Sequence, residues 1–376
     1  MVCMRGRDPV PIDGGAAERA ARGRFRTILR KALSHFMDAP LPSLTDLGWS
    51  PFFSRQVSEE ELRATLPVRV MAVYRGLVSV TGPTFEGLIS SRLPEPGGPG
   101  SRDPEDRPAV GDWLLIGADD HEAQRLLQRA SLFKRPAPGN DRRVQLMAAN
   151  VDTLFIVTSC NQDFNIPRLE RYLVLAREVG VRPVLILTKI DLTDDPDSFR
   201  QAALELQPDL EIEMINAKDP DSVAHLAQRC APGETVALMG SSGVGKSTLV
   251  NTLRGSDSIV TQAVREHDGK GRHTTTVREM HRLEGGGWLM DTPGMREFKL
   301  AEVATGLAEV FDDIAQLTQE CRFSDCTHQK EPGCAIQAAV KNGTLDTERL
   351  ERWRKLAAED LGNSAGLPER RGRERK

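Results

Sequence analysis

The sequence predicts a multidomain α/β protein in which a small N-terminal β-barrel of OB type precedes a doubly wound sheet and a small helical domain. Three observations carry that prediction. Short alternating runs separated by turn residues occupy the chain from Val68 to Gln128. Continuous apolar runs alternating with amphipathic helical stretches begin at Val151. Near the C-terminus, three cysteines and a histidine crowd into one short stretch, Cys321 to Cys334.

A chain of 376 residues with 39% hydrophobic content can bury a sizeable core, and its length corresponds to about two or three domains. The formal net charge of -4 gives no global basic field, so any nucleic-acid contact has to come from local patches. The opening Met1-Val-Cys-Met-Arg-Gly-Arg7 is followed by no apolar h-region, and no run approaches a membrane span. A cytoplasmic protein with no membrane partner is expected. Among six cysteines, Cys3, Cys160 and Cys230 stand alone and read as small buried hydrophobes, which leaves the C-terminal triplet for metal.

Residues 1–46 form an arm with Arg19, Arg22, Arg24, Arg26 and Arg30 among Ala and Gly, read as solvated and partly disordered, with RNA contact as the minority reading. Residues 47–138 carry the barrel, on the runs Val68–Tyr74, Leu77–Val80, Phe85–Ile89, Val110–Ile116 and Gln124–Gln128. The stretch from Leu93 to Pro108 is too rich in Pro and Gly for an element and reads as a mobile loop. The barrel's few aromatics, Tyr74, Phe85, Trp113 and Phe133, argue against a base-stacking platform, so a barrel that binds RNA would read shape and backbone. A barrel used only for packing stays equally open.

A basic link, Lys134-Arg-Pro-Ala-Pro-Gly139, leads into residues 139–300, where the sheet is expected. Val151–Val157 is a strand of the buried parallel kind. Asn165 caps a helix with Pro167 in its first turn, the stripe Leu169, Leu173 and Ala176, and Gly180 as stop. Pro183–Leu187, Ile212–Ile215 and Thr235–Met239 supply further strands, so ligands are expected at the carboxyl ends.

The last of these strands runs into Gly240-Ser241-Ser242-Gly243-Val244-Gly245-Lys246-Ser247-Thr248, a P-loop without mismatch. Its glycines let backbone N–H groups wrap a phosphate, Lys246 adds a point charge, and the Ser247 hydroxyl meets Mg²⁺ at a helix N-terminus. Thr188-Lys189-Ile-Asp191 and Asn216-Ala217-Lys218 follow the two preceding strands. A carboxylate at Asp191 accepts from guanine N1–H and N2–H₂, an edge adenine lacks. Lys189 lays its stem over the base and the Ala217 N–H meets O6. Downstream, Gly271-Arg-His-Thr-Thr-Thr276 and Asp291-Thr-Pro-Gly294 read as switches: one of Thr274, Thr275 and Thr276, taken as Thr275, joins Ser247 and Asp291 around Mg²⁺, and the Gly294 N–H faces the γ-phosphate. Met295 stands where many signalling GTPases place a water-orienting glutamine, and His273 is the nearest replacement.

Residues 301–362 hold Cys321, Cys326, His328 and Cys334 in the pattern C-x₄-C-x-H-x₅-C, which suits a closed tetrahedral, structural Zn²⁺ site. A helix with Leu350, Trp353, Ala357 and Leu361 on one face follows, and residues 363–376 form a basic, disordered tail for which phosphate contact is the second reading.

The order of these motifs, base motifs before the P-loop and switches after it, resembles that of the circularly permuted P-loop GTPases. With the flanking domains, Ala149-Asn-Val-Asp152, the Gly271–Thr276 run and Glu331-Pro-Gly-Cys-Ala335, the chain resembles the RsgA (YjeQ) family of ribosome small subunit-dependent GTPases from about Leu47 to Leu361. Thr188 departs from the asparagine usual there. The resemblance implies an OB barrel, a permuted GTPase domain and a helical zinc domain. It also implies GTP hydrolysis stimulated by the small ribosomal subunit during its late maturation, contact with rRNA, and His273 as the water-orienting residue. A monomer is expected. Three rivals are a P-loop ATPase or kinase, opposed by Asp191 and Asn216-Ala-Lys218, a non-catalytic zinc/OB RNA-binding module, favoured by Met295, and a permuted GTPase of the large subunit.

Overall fold

Strand β1 (Thr65–Val73) is the seam of the molecule, because it is paired on both sides and joins two sheets into one. The computed structural model describes residues 41–94, 104–136, 144–207, 209–255, 278–291, 300 and 302–364. The arm to residue 40, the Pro/Gly-rich segment 95–103 and the tail from residue 365 lie outside the described residues.

Two short helices lead into the seam. Helix α1 (Pro51–Ser54) begins on a proline, whose missing N–H costs nothing there. Helix α2 (Glu59–Ala64) opens with a capping box: the Ser58 hydroxyl accepts from Glu61 N–H at 3.2 Å while the Glu61 carboxylate accepts from Ser58 N–H at 3.3 Å. Strands β2 (Leu77–Thr81), β3 (Glu86–Ser90), β4 (Trp113–Gly117) and β5 (Ala123–Leu126) then form with β1 an antiparallel module in the order β3-β2-β1-β4-β5. Each strand lies on one of the five alternating runs. The two-residue period sends Val68, Val70, Val78, Val80, Leu114 and Ile116 into one cluster, and Met71, Trp113 and Leu115 into another shared with the rest of the chain. Strands β6 (Leu132–Pro136) and β7 (Val144–Ala149) pair with each other. The sequence reading placed a link over part of β6. Lys134 and Arg135 hide its strand pattern behind charge.

Beyond β7 come β8 (Thr153–Ser159), helix α3 (Ile166–Glu178), β9 (Arg182–Thr188), helix α4 (Pro196–Leu204), β10 (Glu211–Met214), the turn-length helix α5 (Pro220–Val223), β11 (Thr235–Met239), helix α6 (Lys246–Leu253), β12 (Arg278–Arg282) and β13 (Trp288–Asp291). The order β10-β9-β8-β11-β13 is parallel, and β12 runs antiparallel to β13. Alternation along β8 puts Leu154 and Ile156 on the face covered by α3, and Phe155 and Val157 on the face covered by Val223, Leu249 and Leu253. Asn165 caps α3 as expected, its side chain accepting from Arg168 N–H at 3.0 Å. The lone Cys160 and Cys230 are buried, and burial pushes their thiols up to about 11 and about 12. Cys3 lies outside the described residues.

The C-terminal helices α7 (Ala304–Val310), α8 (Asp312–Gln319), α9 (Ala335–Lys341) and α10 (Thr347–Ser364) follow, of which α7 and α10 dock on α3. At Gly306 a Cβ would stand 2.1 Å from Val174 O, so only glycine lets α7 approach this closely. Glu170 on α3, with no exposed surface, accepts from Arg352 Nε at 2.9 and 3.0 Å. On α10, Leu350 is buried and Trp353 and Ala357 pack on the core, but Leu361 is 72% exposed. The reason is a long-range contact: Asp360 accepts from Val303 N–H at 3.2 Å, which turns the neighbouring Leu361 to solvent.

The seam is closed by β12, which pairs with β1 at Ala72↔Glu279 and Val73↔Arg278. Beside it lies Arg69, 2% exposed, whose guanidinium donates to Thr235 Oγ1 at 2.7 Å, Asn150 O at 3.2 Å, Gly111 O at 3.4 Å and Leu47 O. Burial lowers its pKa to about 10, which leaves it charged at neutral pH. Arg69→Met would fill the volume but strand several buried acceptors. We expect a loss of about 3–5 kcal/mol, read as a lower urea midpoint; an unchanged midpoint would show that these bonds hold nothing together.

Candidate functional site

Because β9, β10, β11 and β13 are parallel, every nucleotide motif read from the sequence on the described residues emerges at the same edge of the sheet. At the end of β11, Gly240 has φ 155°, and a Cβ there would stand 2.2 Å from Val157 O on the neighbouring strand. Gly245 follows at φ 99° as the cap of α6, so the loop turns into the helix through the left-handed region. Ser242, Gly243 and Ser247 are exposed, Val244 is buried as the loop's anchor, Thr248 is half-buried, and Leu249 and Val250 begin the buried face of α6. Lys246 folds back over the loop, its Nζ donating to Gly240 O at 2.8 Å and to Ser241 O. The ammonium is held against the first two carbonyls of the loop.

Thr188, the last residue of β9, is fully buried, and its hydroxyl stands 2.6 Å from Val244 O and 3.1 Å from Thr158 O. The threonine therefore ties the base-motif strand to the P-loop. Lys189 adopts φ 59°, a left-handed turn that throws the next residues outward, and Asp191 is exposed on the short 3₁₀ turn Ile190–Leu192. After β10, Asn216 accepts from Lys218 N–H at 3.1 Å and donates its own N–H to Ser222 Oγ at 2.9 Å. Ala217 is buried and its carbonyl accepts from Thr252 Oγ1 on α6 at 2.7 Å. The base loop is thus fastened to the helix that begins at the P-loop.

Asp291 ends β13 opposite Glu279 on β12. His273, Thr274, Thr275, Thr276, Gly294 and Met295 lie outside the described residues.

The second site lies between α8 and α9. The donor atoms of Cys321, Cys326, His328 and Cys334 all fall within 4.8 Å of one another. Cys321 Sγ lies 3.9 Å from Cys334 Sγ and 3.5 Å from His328 Nδ1, and Cys334 Sγ lies 3.8 Å from that nitrogen. A tetrahedron with metal–sulfur bonds of about 2.3 Å and metal–nitrogen bonds of about 2.0 Å has S···S edges of about 3.8 Å and S···N edges of about 3.5 Å. The cluster has the size of a tetrahedral metal site. Glu331 organises the loop between ligands, accepting from the Thr327 hydroxyl and from Thr327, Gln329 and Lys330 N–H at 2.9–3.0 Å. Those bonds, the Thr327 hydroxyl foremost, hold its carboxyl down at about 2.

A family model described as RsgA GTPase matches residues 126–301. The protein of Mesorhizobium japonicum named small ribosomal subunit biogenesis GTPase RsgA is 49% identical over 329 residues, covering 87% of this chain and 92% of that protein. The chain belongs to the RsgA GTPase family. A Vibrio parahaemolyticus protein, small ribosomal subunit biogenesis GTPase RsgA 2, is 45% identical over 334 residues, 88% of this chain and 90% of its own. The crystal structure of YjeQ from Thermotoga maritima matches with a TM-score of 0.57 at 25% identity, covering 79% of this chain and 99% of that one. The structure titled YloQ, a circularly permuted GTPase, shares the fold with a TM-score of 0.56 at 22% identity, covering 83% and 100%.

Three contacts at the nucleotide edge escaped the sequence reading. They are Ser222 and Thr252, which hold the base loop, and Arg168 on α3, whose guanidinium donates to Ser241 Oγ. None belongs to a motif; only the packing brings them to the edge. Thr188→Val keeps the shape and removes the hydroxyl under Val244. Leaving that carbonyl without its donor should cost about 1–2 kcal/mol, a roughly five- to thirty-fold weaker nucleotide Kd by titration calorimetry. A Kd within two-fold of the parent would show that the P-loop stands without it.

Proposed function

We propose that this chain is a cytoplasmic GTP hydrolase that binds the small ribosomal subunit, assists or checks its late maturation, and is stimulated by that subunit. The observation that carries the proposal is the convergence of Thr188–Asp191, Asn216–Lys218 and the P-loop on one sheet edge, in a chain belonging to a family of GTPases.

In this reading Asp191, exposed on its turn, accepts from guanine N1–H and N2–H₂ while Lys189 covers the base and the Ala217 N–H meets O6. An acceptor that pairs only with guanine discriminates by leaving itself unpaired with other bases. The loop N–H groups from Ser241 to Thr248 wrap the phosphates, with Lys246 as the point charge. Ser247, Thr275 and Asp291 would hold Mg²⁺, which supplies charge neutralisation at the phosphates. The Gly294 N–H senses the γ-phosphate, and His273 orients the attacking water in place of the glutamine that Met295 displaces.

Around residues 139–300, which form the GTPase domain, we assign residues 47–138 to an OB barrel and residues 301–362 to a zinc domain, both gripping rRNA. Support for the barrel is its strand order, β3-β2-β1-β4-β5. Support for zinc is the donor set, three thiolates and an imidazole at tetrahedral spacing. The arm 1–46 and a tail that starts beyond α10, whose last turn keeps Asn363 and Ser364 in the helix, flank a protein that acts as a monomer.

Two measurements test this reading. Purified small subunits, and not large ones, should accelerate GTP hydrolysis by the parent; His273→Ala should keep GTP affinity but lose most of that stimulation, in kcat, because the interaction exists only in the transition state. Equal stimulation of the mutant would leave His273 without a role, and stimulation by large subunits would redirect the partner. For the metal, Cys326→Ala should release about one zinc per chain and unfold the C-terminal helices while GTP binding largely survives. One zinc retained in the mutant, by elemental analysis, would refute the ligand set.

A further inference from the structure

Helix α3 brings a cation to the phosphate loop that no nucleotide motif contains. Its first turn follows the carboxyl end of β8, next to the strand that ends in the P-loop. There the backbone of Arg168 is pinned by the Asn165 cap, its N–H donating to Asn165 Oδ1 at 3.0 Å, so the side chain leaves from a fixed point. The guanidinium is half-buried, and its Nη1 donates to Ser241 Oγ in the second position of the loop. Lys246 donates to the carbonyl of that same serine. Two cations therefore flank one residue of the phosphate loop.

The neighbouring arginine of α3 is used differently. Arg171 is locked on Glu359 of α10 by two parallel hydrogen bonds. Among the described residues Arg168 faces no carboxylate, and its contact is with a neutral hydroxyl. A guanidinium has five N–H donors in a planar fork, and one serine oxygen satisfies few of them. A phosphate group satisfies the fork in pairs, with charge complementarity that a hydroxyl lacks.

We propose that Arg168, docked on Ser241, is the arginine this site delivers in cis to the terminal phosphate of GTP. The inference rests on the GTPase reading of the site. In hydrolysis the water oxygen forms a bond to the γ-phosphorus, the bond to the β–γ bridging oxygen breaks, and GDP leaves with the charge that built up on that oxygen. The proton of the water passes to the released phosphate or to solvent. Arg168 donates hydrogen bonds to the developing charge and transfers no proton. It supplies stabilisation from within the chain at a site that carries methionine, Met295, after its Asp291-Thr-Pro-Gly294 motif.

The test uses the full-length parent, Arg168→Ala and Arg168→Lys, with melting temperatures to establish that all are folded. GDP and GTP affinities and single-turnover hydrolysis are measured with and without small subunits. Arginines that contact a transferring phosphoryl group contribute roughly 10³–10⁵ in rate, so loss of Arg168 should cost at least about ten-fold in kcat. Arg168→Ala should show that loss with GDP affinity within about two-fold of the parent, and Arg168→Lys should recover only part of it, because an ammonium cannot bind in the forked geometry. Undiminished kcat in Arg168→Ala overturns the inference. So does a loss of GDP affinity equal to the loss of rate, which would mean that Arg168 only braces the loop through Ser241. A parent that binds no GTP would instead refute the GTPase reading itself.

Discussion

The structure depends on one buried charge. Arg69 sits on β1, in the middle of the antiparallel module, yet its acceptors come from four other segments: the turn ending at Leu47, the β3–β4 connection at Gly111, the β7–β8 junction at Asn150 and the first residue of the P-loop strand, Thr235. Burying a guanidinium is costly unless its donors are matched, so the charge is tolerable only when all those segments are in register. Asp152 and Asp112 raise its pKa while burial lowers it, and Asp152 itself receives the Thr235 N–H at 2.7 Å. Asn150, at φ 55°, completes the junction by donating to Gly111 O and accepting from Ala130 N–H. Through these contacts the P-loop strand is positioned by the antiparallel module as well as by its own sheet.

A second constraint runs along α3. Its first turn meets the P-loop through Arg168, its middle holds the C-terminal helices through Glu170 and Arg171, and its last turn receives Gly306 N–H on Glu178 at 2.9 Å. Burial raises the pKa of Glu170 while Arg352 and Arg349 oppose that rise, the arrangement of a carboxylate that is expensive to bury and therefore specific about its partners. One helix thus touches both the P-loop and the C-terminal helices. The loops between α8 and α9 are held by the Glu331 network and bring Cys321, Cys326, His328 and Cys334 together in a segment too small to build a large core of its own.

The nucleotide edge shows how a motif works only with its supports. Lys246 and the P-loop glycines are the visible part. Thr188 under Val244, Thr252 under Ala217 and Ser222 under Asn216 set the spacing between the phosphate loop and the base loop. At Thr188 the hydroxyl reaches Val244 O at 2.6 Å and so joins the end of β9 to the P-loop.

The amino-acid sequence by itself determined everything that depends on local chemistry. The P-loop sequence, the segments Thr188–Asp191 and Asn216–Lys218 at strand ends and the Cys321, Cys326, His328 and Cys334 cluster were legible because each sets particular side chains at fixed spacing, and the strands were legible where burial on one or both faces imposes a period. The Asn165 cap, the α3 stripe and the five runs of the antiparallel module fall in that class. What depends on neighbours distant in the chain was decided only by the tertiary structure. Strand β12, Arg-Glu-Met-His-Arg, carries no apolar alternation, because it exists by pairing with β13 on one side and β1 on the other. The same holds for β6, for the outward turn of Leu361, for the burial of Arg69 and for the placing of Arg168 on Ser241. In each case the free energy comes from partners that no local window contains, so the residue type alone cannot report where the fold will put it.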